Sequence, residues 1–251
     1  MGQRVVELGE LGGLSMPRTL ARGAVAYIAA ISLASLLAAV ALFRASLPAA
    51  DPISFLVVAG LAALAHAYPI QGFRHQAYQV TLPFIVLASA SFNGLELAGF
   101  IVLIHLTEQL RVRRPLYIQW FNACDYFLSA VLALTLYHRA VTLLPAGALG
   151  ELTAALAAAC SFILLNRLLL AIALWLARGL SPVASGLFQP ELFAADLVIA
   201  WIAGPMLVLA LLAGTWTALL TAGPLLLARP ALSALLRHHQ GAPGRIQVPA
   251  A

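Results

Sequence analysis

A succession of long apolar runs, separated by short clusters of arginine, is the feature that most constrains what this chain can fold into. A helix needs about 20 apolar residues to cross the roughly 30 Å hydrocarbon core of a bilayer. Apolar residues make up 63% of the 251 residues and charged residues 9%, whereas soluble domains have about 45–50% and about 25%. A chain with this few charged residues cannot cover a water-exposed surface. Its composition and its apolar runs therefore predict an integral membrane protein made almost entirely of transmembrane helices.

The apolar runs predict an all-α, polytopic transmembrane helix bundle. We divide the chain into the segments 23–43, 52–68, 78–92, 95–110, 116–137, 152–177 and 192–227. The last is too long for one crossing, and Gly204-Pro205 and Ala213-Gly214 are its two possible breaks, so we expect two short helices there. The third and fourth segments are short, at about 15 residues each, and one re-entrant hairpin is the alternative. The expected count is therefore six to eight spans, with eight favoured.

The arginines predict how the bundle is oriented. All 14 basic residues are arginines, and with a cytoplasmic N-terminus only Arg44 and Arg139 fall on the outer side, against eleven on the inner side. Loops rich in arginine stay on the cytoplasmic side of a membrane. We therefore predict that both termini are cytoplasmic. The predicted divisions are an N-terminal tail (1–22), a transmembrane domain (23–229) and a basic, partly disordered C-terminal tail (230–251).

Polar residues inside the predicted spans form the candidate ligand-binding site. Ionisable groups are costly in hydrocarbon and need partners. Asn122 and Asp125 are three residues apart, which places them on one helix face, and an arginine at position 167 requires a carboxylate from Asp125 or Asp196. We expect a buried cluster made of Asn122, Asp125, Asn166, Arg167 and Asp196. Such a cluster is either the floor of a ligand cavity or a helix–helix contact that fixes packing.

Histidines raise the question of a metal site, which the spacing does not require. His66 and His75 are nine residues apart across a proline, and His105 lies on another segment. We interpret the first two as part of an interfacial loop near lipid head groups, and predict neither a metal site nor a cofactor. Glu96 and Glu108 lie near segment ends, where we expect them to reach the membrane interface.

Enzymes and nucleic-acid-binding proteins are the classes that the sequence argues against. It contains no GxSxG, HExxH or P-loop motif and no paired-carboxylate motif such as DxxD on a span, so we expect no catalytic residues. It has no basic face with interleaved aromatic residues, so we expect no nucleic-acid partner.

Short motifs follow one another in a recognisable order between residues 62 and 236. They are LAHAYPI at 64–70, VTLP at 80–83, the stretch 94–99, Arg114-Pro115, Phe121-Asn122, Leu165-Asn166 and Gly223-Pro224-Leu225. This order resembles the multi-pass N-terminal membrane sensor region of bacterial signalling proteins whose output domain is an HD-GYP phosphodiesterase or a GGDEF cyclase. The resemblance implies an input module in the bacterial cytoplasmic (inner) membrane. No output domain follows Leu236, so we expect an input module without an attached output.

Three functions remain open from the sequence. The first is a non-catalytic sensory or input module that binds a small ligand, a lipid or a partner protein. The second is a small-solute transporter, or the substrate-binding membrane subunit of one. The third is a structural subunit of a larger complex. The expected partners are the lipid bilayer and a cytoplasmic or membrane protein.

Overall fold

The computed structural model describes residues 21–44, 48–67, 70–71, 77–78, 80–220 and 222–223. Seven α-helices are bounded within them: α1 (Arg22–Arg44), α2 (Pro52–Ala67), α3 (Leu82–Ser91), α4 (Gly94–Val112), α5 (Leu116–Leu143), α6 (Ala148–Arg178) and α7 (Pro190–Ala213). A two-residue antiparallel pair, β1 (Ile70–Gln71) with β2 (Ala77–Tyr78), lies between α2 and α3. The predicted all-α class is confirmed. The C-terminal tail, and the N-terminal tail apart from Ala21 and Arg22, lie outside the described residues.

Four of these helices are long and apolar enough to cross a membrane. They are α1, α5, α6 and the Leu192–Ala213 part of α7. α2 and α3 are apolar but shorter, and α4 has 19 residues that include both acidic and basic side chains. The number of crossings and the side of each terminus stay predictions.

The outer surface of the bundle is apolar. Phe43 on α1, Leu110 on α4 and Trp201 on α7 are each 71% exposed, and large apolar side chains are exposed on every helix except α3. A soluble protein rarely exposes apolar surface so widely. In lipid this surface is favourable, because the hydrocarbon solvates apolar side chains and the helices satisfy their own backbone hydrogen bonds.

α3 is a short helix enclosed by protein. Its residues from Leu82 to Ser89 are all buried, and it packs against α2, α4, α5, α6 and α7. Ten residues span about 15 Å, half the hydrocarbon thickness. The predicted start of this segment at Tyr78 is wrong. Tyr78 belongs to β2, and the helix begins at Leu82 because Pro83, which lacks an N–H, is tolerated only in the first turn.

α2 and α4 run parallel, with α3 returning the chain between them. At their beginnings, the backbone N–H of Ala50 donates to both carboxylate oxygens of Glu96, at 2.9 and 3.1 Å. At their ends, Arg111 donates to the carbonyl of Ala67. Glu96 also completes a capping box with Asn93 at the start of α4. This carboxylate, expected at the interface, therefore joins the N-terminal ends of two helices.

α7 ends at only one of the two predicted breaks. It continues through Gly204-Pro205, so that predicted break is wrong. A membrane helix tolerates a proline because neighbouring groups compensate for the missing hydrogen bond. The break after Ala213 is confirmed: Gly214 has a φ of 94°, a conformation that favours glycine. A 3₁₀ turn follows at Thr215–Thr217, and the chain is helical again from residue 218.

The close packing of α1 on α4 predicts opposite effects for two glycine substitutions in the same helix. A Cβ at Gly94 would lie 2.3 Å from Leu42 Cβ and 3.2 Å from its backbone carbon, whereas one at Gly99 meets nothing within 4 Å. Gly94→Ala should lower the free energy of unfolding by about 1–3 kcal/mol, the usual effect of overpacking. Gly99→Ala should raise it by up to about 1 kcal/mol through helix propensity. Unfolding in mixed detergent and dodecyl sulfate micelles measures both, and equal effects would contradict this packing.

Candidate functional site

A cavity of about 390 Å³ lies among α2 to α7, within the apolar bundle. All five of the residues that the sequence predicts for the site line it: Asn122, Asp125, Asn166, Arg167 and Asp196. Six further polar or aromatic residues line it as well: His66, Thr81, His105, Glu108, Arg114 and Tyr126. The structure therefore brings the predicted cluster and a second group of side chains to one cavity.

Arg167 of α6 is paired with Asp196 of α7. Its Nε donates to Asp196 Oδ2 at 3.1 Å, and its NH2 group donates to the same oxygen. Its NH1 group donates to the carbonyl of Leu187, and its Cζ lies 4.4 Å from the ring centroid of Phe193. Of the two carboxylates expected to balance this arginine, it is Asp196 that does so. The pair ties α7 to α6 at the cavity wall.

Asp125 of α5 is bound by neutral groups. Asn166 Nδ2 donates to its Oδ2 at 3.2 Å, and Ser129 Oγ to its Oδ1 at 3.4 Å. The residue is only 2% exposed. The predicted cluster is thus two hydrogen-bonded groups rather than one, with Asp125 and Asn166 linking α5 to α6.

Asn122 is the site residue whose side chain is free to bind something else. It lines the cavity one turn before Asp125, and its amide makes no hydrogen bond to any other residue that the structure describes. A carboxamide has both donors and an acceptor to offer. This group is therefore available to a molecule in the cavity.

A second cluster is centred on the carboxylate of Glu108. Its Oε2 lies 3.3 Å from His66 Nε2 and 3.7 Å from His105 Nδ1, and it accepts a hydrogen bond from Gln119 Nε2 at 3.1 Å. Its Oε1 lies 3.0 Å from an Arg114 nitrogen. Glu108 is 6% exposed, so its carboxylate is enclosed by protein, and its expected position near the membrane interface stays a prediction. The turn after α4 brings Arg114 back over it.

Aromatic and hydroxyl contacts orient the two imidazoles. Thr81 Oγ1 lies 3.2 Å from His66 Nδ1. The ring of Tyr126 packs edge to face on both imidazoles, at 5.3 Å from His66 and 4.7 Å from His105.

Three buried polar atoms of the cluster lack a hydrogen-bond partner among the described residues: His66 Nε2, His105 Nε2 and Gln119 Oε1.

The spacing of His105 and Glu108 in the sequence could have predicted part of the second cluster, but nothing in the sequence predicts that His66 joins it. His105 and Glu108 are three residues apart and so lie on one face of α4, which a helical reading of this segment could have found. His66 joins them only because α2 and α4 pack in parallel, which the sequence does not reveal. His75, the remaining histidine of the loop, lies outside the described residues.

No protein-family model, curated protein or solved structure matches this chain. The resemblance to the membrane sensor region of HD-GYP and GGDEF proteins therefore stays a prediction. What the geometry establishes is a cavity in an apolar helical bundle, lined by both polar and apolar side chains.

The Arg167–Asp196 pair predicts strong coupling between two substitutions. Arg167→Leu or Asp196→Leu alone leaves a buried charge without its partner and should lower the free energy of unfolding by about 3–5 kcal/mol. The double variant should lose less than the sum of the two, by about 0.5–3 kcal/mol. Dodecyl sulfate unfolding measures this cycle. Arg178→Leu, at the last turn of α6, is the matched control, and strict additivity would contradict the pairing.

Proposed function

We propose that this chain is a non-catalytic input module of a membrane signalling system. It binds a small polar ligand in the cavity among α2 to α7, and a partner protein responds to the occupied state. The observation that carries the proposal is the cavity itself. Its volume of about 390 Å³ falls in the range of about 300–1,000 Å³ that is typical of small-molecule sites.

The polar lining supports binding in preference to packing alone. Helix–helix contacts in membranes need few polar groups, each worth about 0.6–2 kcal/mol. Here five helices direct polar side chains to the same space, and the Asn122 amide and several atoms of the Glu108 cluster have no hydrogen-bond partner among the described residues. Groups of this kind are costly to bury. A polar ligand would satisfy them.

A ligand in this cavity has a direct way to alter helix packing. Arg167 and Asp196 line the cavity and hold α6 to α7. A ligand that accepts a hydrogen bond from Arg167 competes with Asp196. It therefore has different affinities for the conformation in which the pair is formed and the one in which it is broken. This difference is what allows a ligand to shift a conformational equilibrium.

We also propose a multi-pass location in a bacterial cytoplasmic membrane, with both termini in the cytoplasm. The arginine distribution supports this orientation, and the resemblance supports the bacterial setting. The ends of α2 and α4 meet at Ala67 and Arg111, and Arg113 and Arg114 follow directly. In the proposed orientation, the Glu108 cluster lies in the cytoplasmic half of the bundle.

Cysteine labelling tests the orientation. In a Cys124→Ala, Cys160→Ala background, Arg113→Cys should be inaccessible to a membrane-impermeant maleimide in intact cells and react after the membrane is opened. Ala146→Cys, in the exposed turn between α5 and α6, should react in intact cells. The reverse pattern would overturn the orientation without affecting the fold.

Replacing Asn122 should weaken ligand binding while leaving the free energy of unfolding nearly unchanged. Asn122→Leu breaks no hydrogen bond to a described residue, so the free energy of unfolding should change by less than about 0.5 kcal/mol. Native mass spectrometry of the wild-type protein in detergent should reveal a co-purified small molecule, and this mass should be lost in the variant. Thr135→Val, on the exposed side of the same helix, is the matched control and should retain it.

The same experiment separates the candidate functions. A wild-type protein that carries no small molecule contradicts the input-module proposal. If purified protein in vesicles accumulates a solute that co-purifies with it, the transporter replaces the sensor as the function of this cavity.

A further inference from the structure

We propose that His66, His105 and Glu108 form a buried binding site for one divalent first-row transition metal ion of the zinc type. The site lies on the wall of the cavity described above. Its existence does not depend on the proposed signalling function, because metal binding is measured directly.

The spacing of the three donors fits a metal ion. One ring nitrogen of each histidine and one oxygen of Glu108 all lie within 4.8 Å of one another. The Glu108 Oε2 atom is 3.3 Å from His66 Nε2 and 3.7 Å from His105 Nδ1. Ligand atoms at about 2.0–2.1 Å from a tetrahedral ion are about 3.3 Å apart. The two distances to Glu108 are therefore within about 0.4 Å of that value, and the two histidine nitrogens, within 4.8 Å of each other, would move closer together when an ion binds.

The three donors lie on helices, and a contact on the opposite ring nitrogen orients His66. His66 is on α2, and His105 and Glu108 are on α4, two helices that are tied together at both ends. Thr81 Oγ1 contacts the far nitrogen of His66, Nδ1, at 3.2 Å. Metal-binding histidines almost always have such an outer contact on the nitrogen that does not bind the ion. His66 Nε2 is the nitrogen left for the metal.

One unpartnered buried nitrogen points to a missing ligand. His66 Nε2 makes no hydrogen bond to a described residue, His66 is 9% exposed, and the Glu108 Oε2 atom lies 3.3 Å from this nitrogen. A buried imidazole nitrogen without a hydrogen bond has lost its water. A metal ion that bonds to the histidines would compensate for part of this loss.

The donor set selects the kind of metal. Two imidazoles and one carboxylate suit zinc and its first-row neighbours, whereas calcium and magnesium prefer oxygen ligands only. Three protein ligands leave a fourth position, and all three line the cavity. That position is open to water or to a molecule in the cavity, as in sites that exchange a ligand.

Arg114 is the charged group that competes with the ion. One of its nitrogens is 3.0 Å from Glu108 Oε1, and its side chain is 39% exposed. It contacts Oε1, the oxygen that the histidines do not face, whereas Oε2 accepts a hydrogen bond from Gln119 Nε2 at 3.1 Å that an ion would displace. Because Arg114 reaches solvent, it can turn outward when a cation binds. Arg114→Gln removes this competing charge and should leave metal affinity equal or higher.

Zinc titration of the full chain in detergent micelles tests the site. His238 and His239 near the C-terminus would add background binding, so both are replaced by alanine in every sample and no histidine tag is present. After treatment with a chelator, calorimetry should give one tight Zn²⁺ site per chain. His66→Gln and His105→Gln should each lower the affinity by more than about tenfold, since loss of an outer-shell contact alone costs about 10–100-fold.

Two substitutions distinguish a metal site from a structural network. His138→Gln, a histidine of α5 that packs on Tyr137, is the matched control and should leave zinc affinity unchanged. Thr81→Val keeps all three ligands and should weaken zinc binding by about 10–100-fold. A purely structural role for these residues would leave zinc binding insensitive to both His66→Gln and Thr81→Val, which would overturn the proposal.

Cobalt provides a readout that needs no variant. Co²⁺ bound by two imidazoles and a carboxylate in a four-coordinate site absorbs visible light far more strongly than the aqueous ion. A wild-type spectrum identical to that of aqueous Co²⁺ would overturn the proposal even if every variant failed to fold. Asn122→Leu should keep this spectrum, so a failure of the signalling proposal and a failure of the metal proposal give different results.

Discussion

The apolar outer surface of the bundle limits where polar side chains can lie. Six of the seven bounded helices expose large apolar side chains. A membrane offers no water to side chains at these positions, so a polar group that does not reach an end of the bundle has to face inward. Many of the residues that do so, from α2, α4, α5, α6 and α7, line the same cavity. The cavity lies where these side chains meet, whereas the buried residues of α5 and α6 away from it include many alanines.

Two kinds of polar contact result, and they differ in how completely they are satisfied. Arg167 and Asp196 form a closed pair with a further bond to the Leu187 carbonyl, and such a pair fixes the position of α7 against α6. The Glu108 cluster is less complete, since one carboxylate is shared among several donors while buried imidazole nitrogens remain without hydrogen bonds. The Arg167–Asp196 pair therefore has a structural role. The Glu108 cluster still has buried polar atoms without hydrogen bonds, and a ligand could bind to them.

The sequence predicted the polar cluster of α5, α6 and α7 because each member is conspicuous against an apolar background. It predicted less well where an outcome depends on packing between distant segments. Glu108 looked like a residue at a helix end, and only the parallel alignment of α2 and α4 buries it beside His66. Pro205 looked like a break, yet α7 continues through it. The short length of α3 was visible, but its enclosure on all sides depends on helices that lie later in the chain.

That enclosure has a consequence for biosynthesis. α3 has ten residues, too few to be released into lipid as a separate span, and it packs against α5, α6 and α7, which the ribosome makes afterwards. The enclosure of α3 is therefore complete only after α5, α6 and α7 have been made.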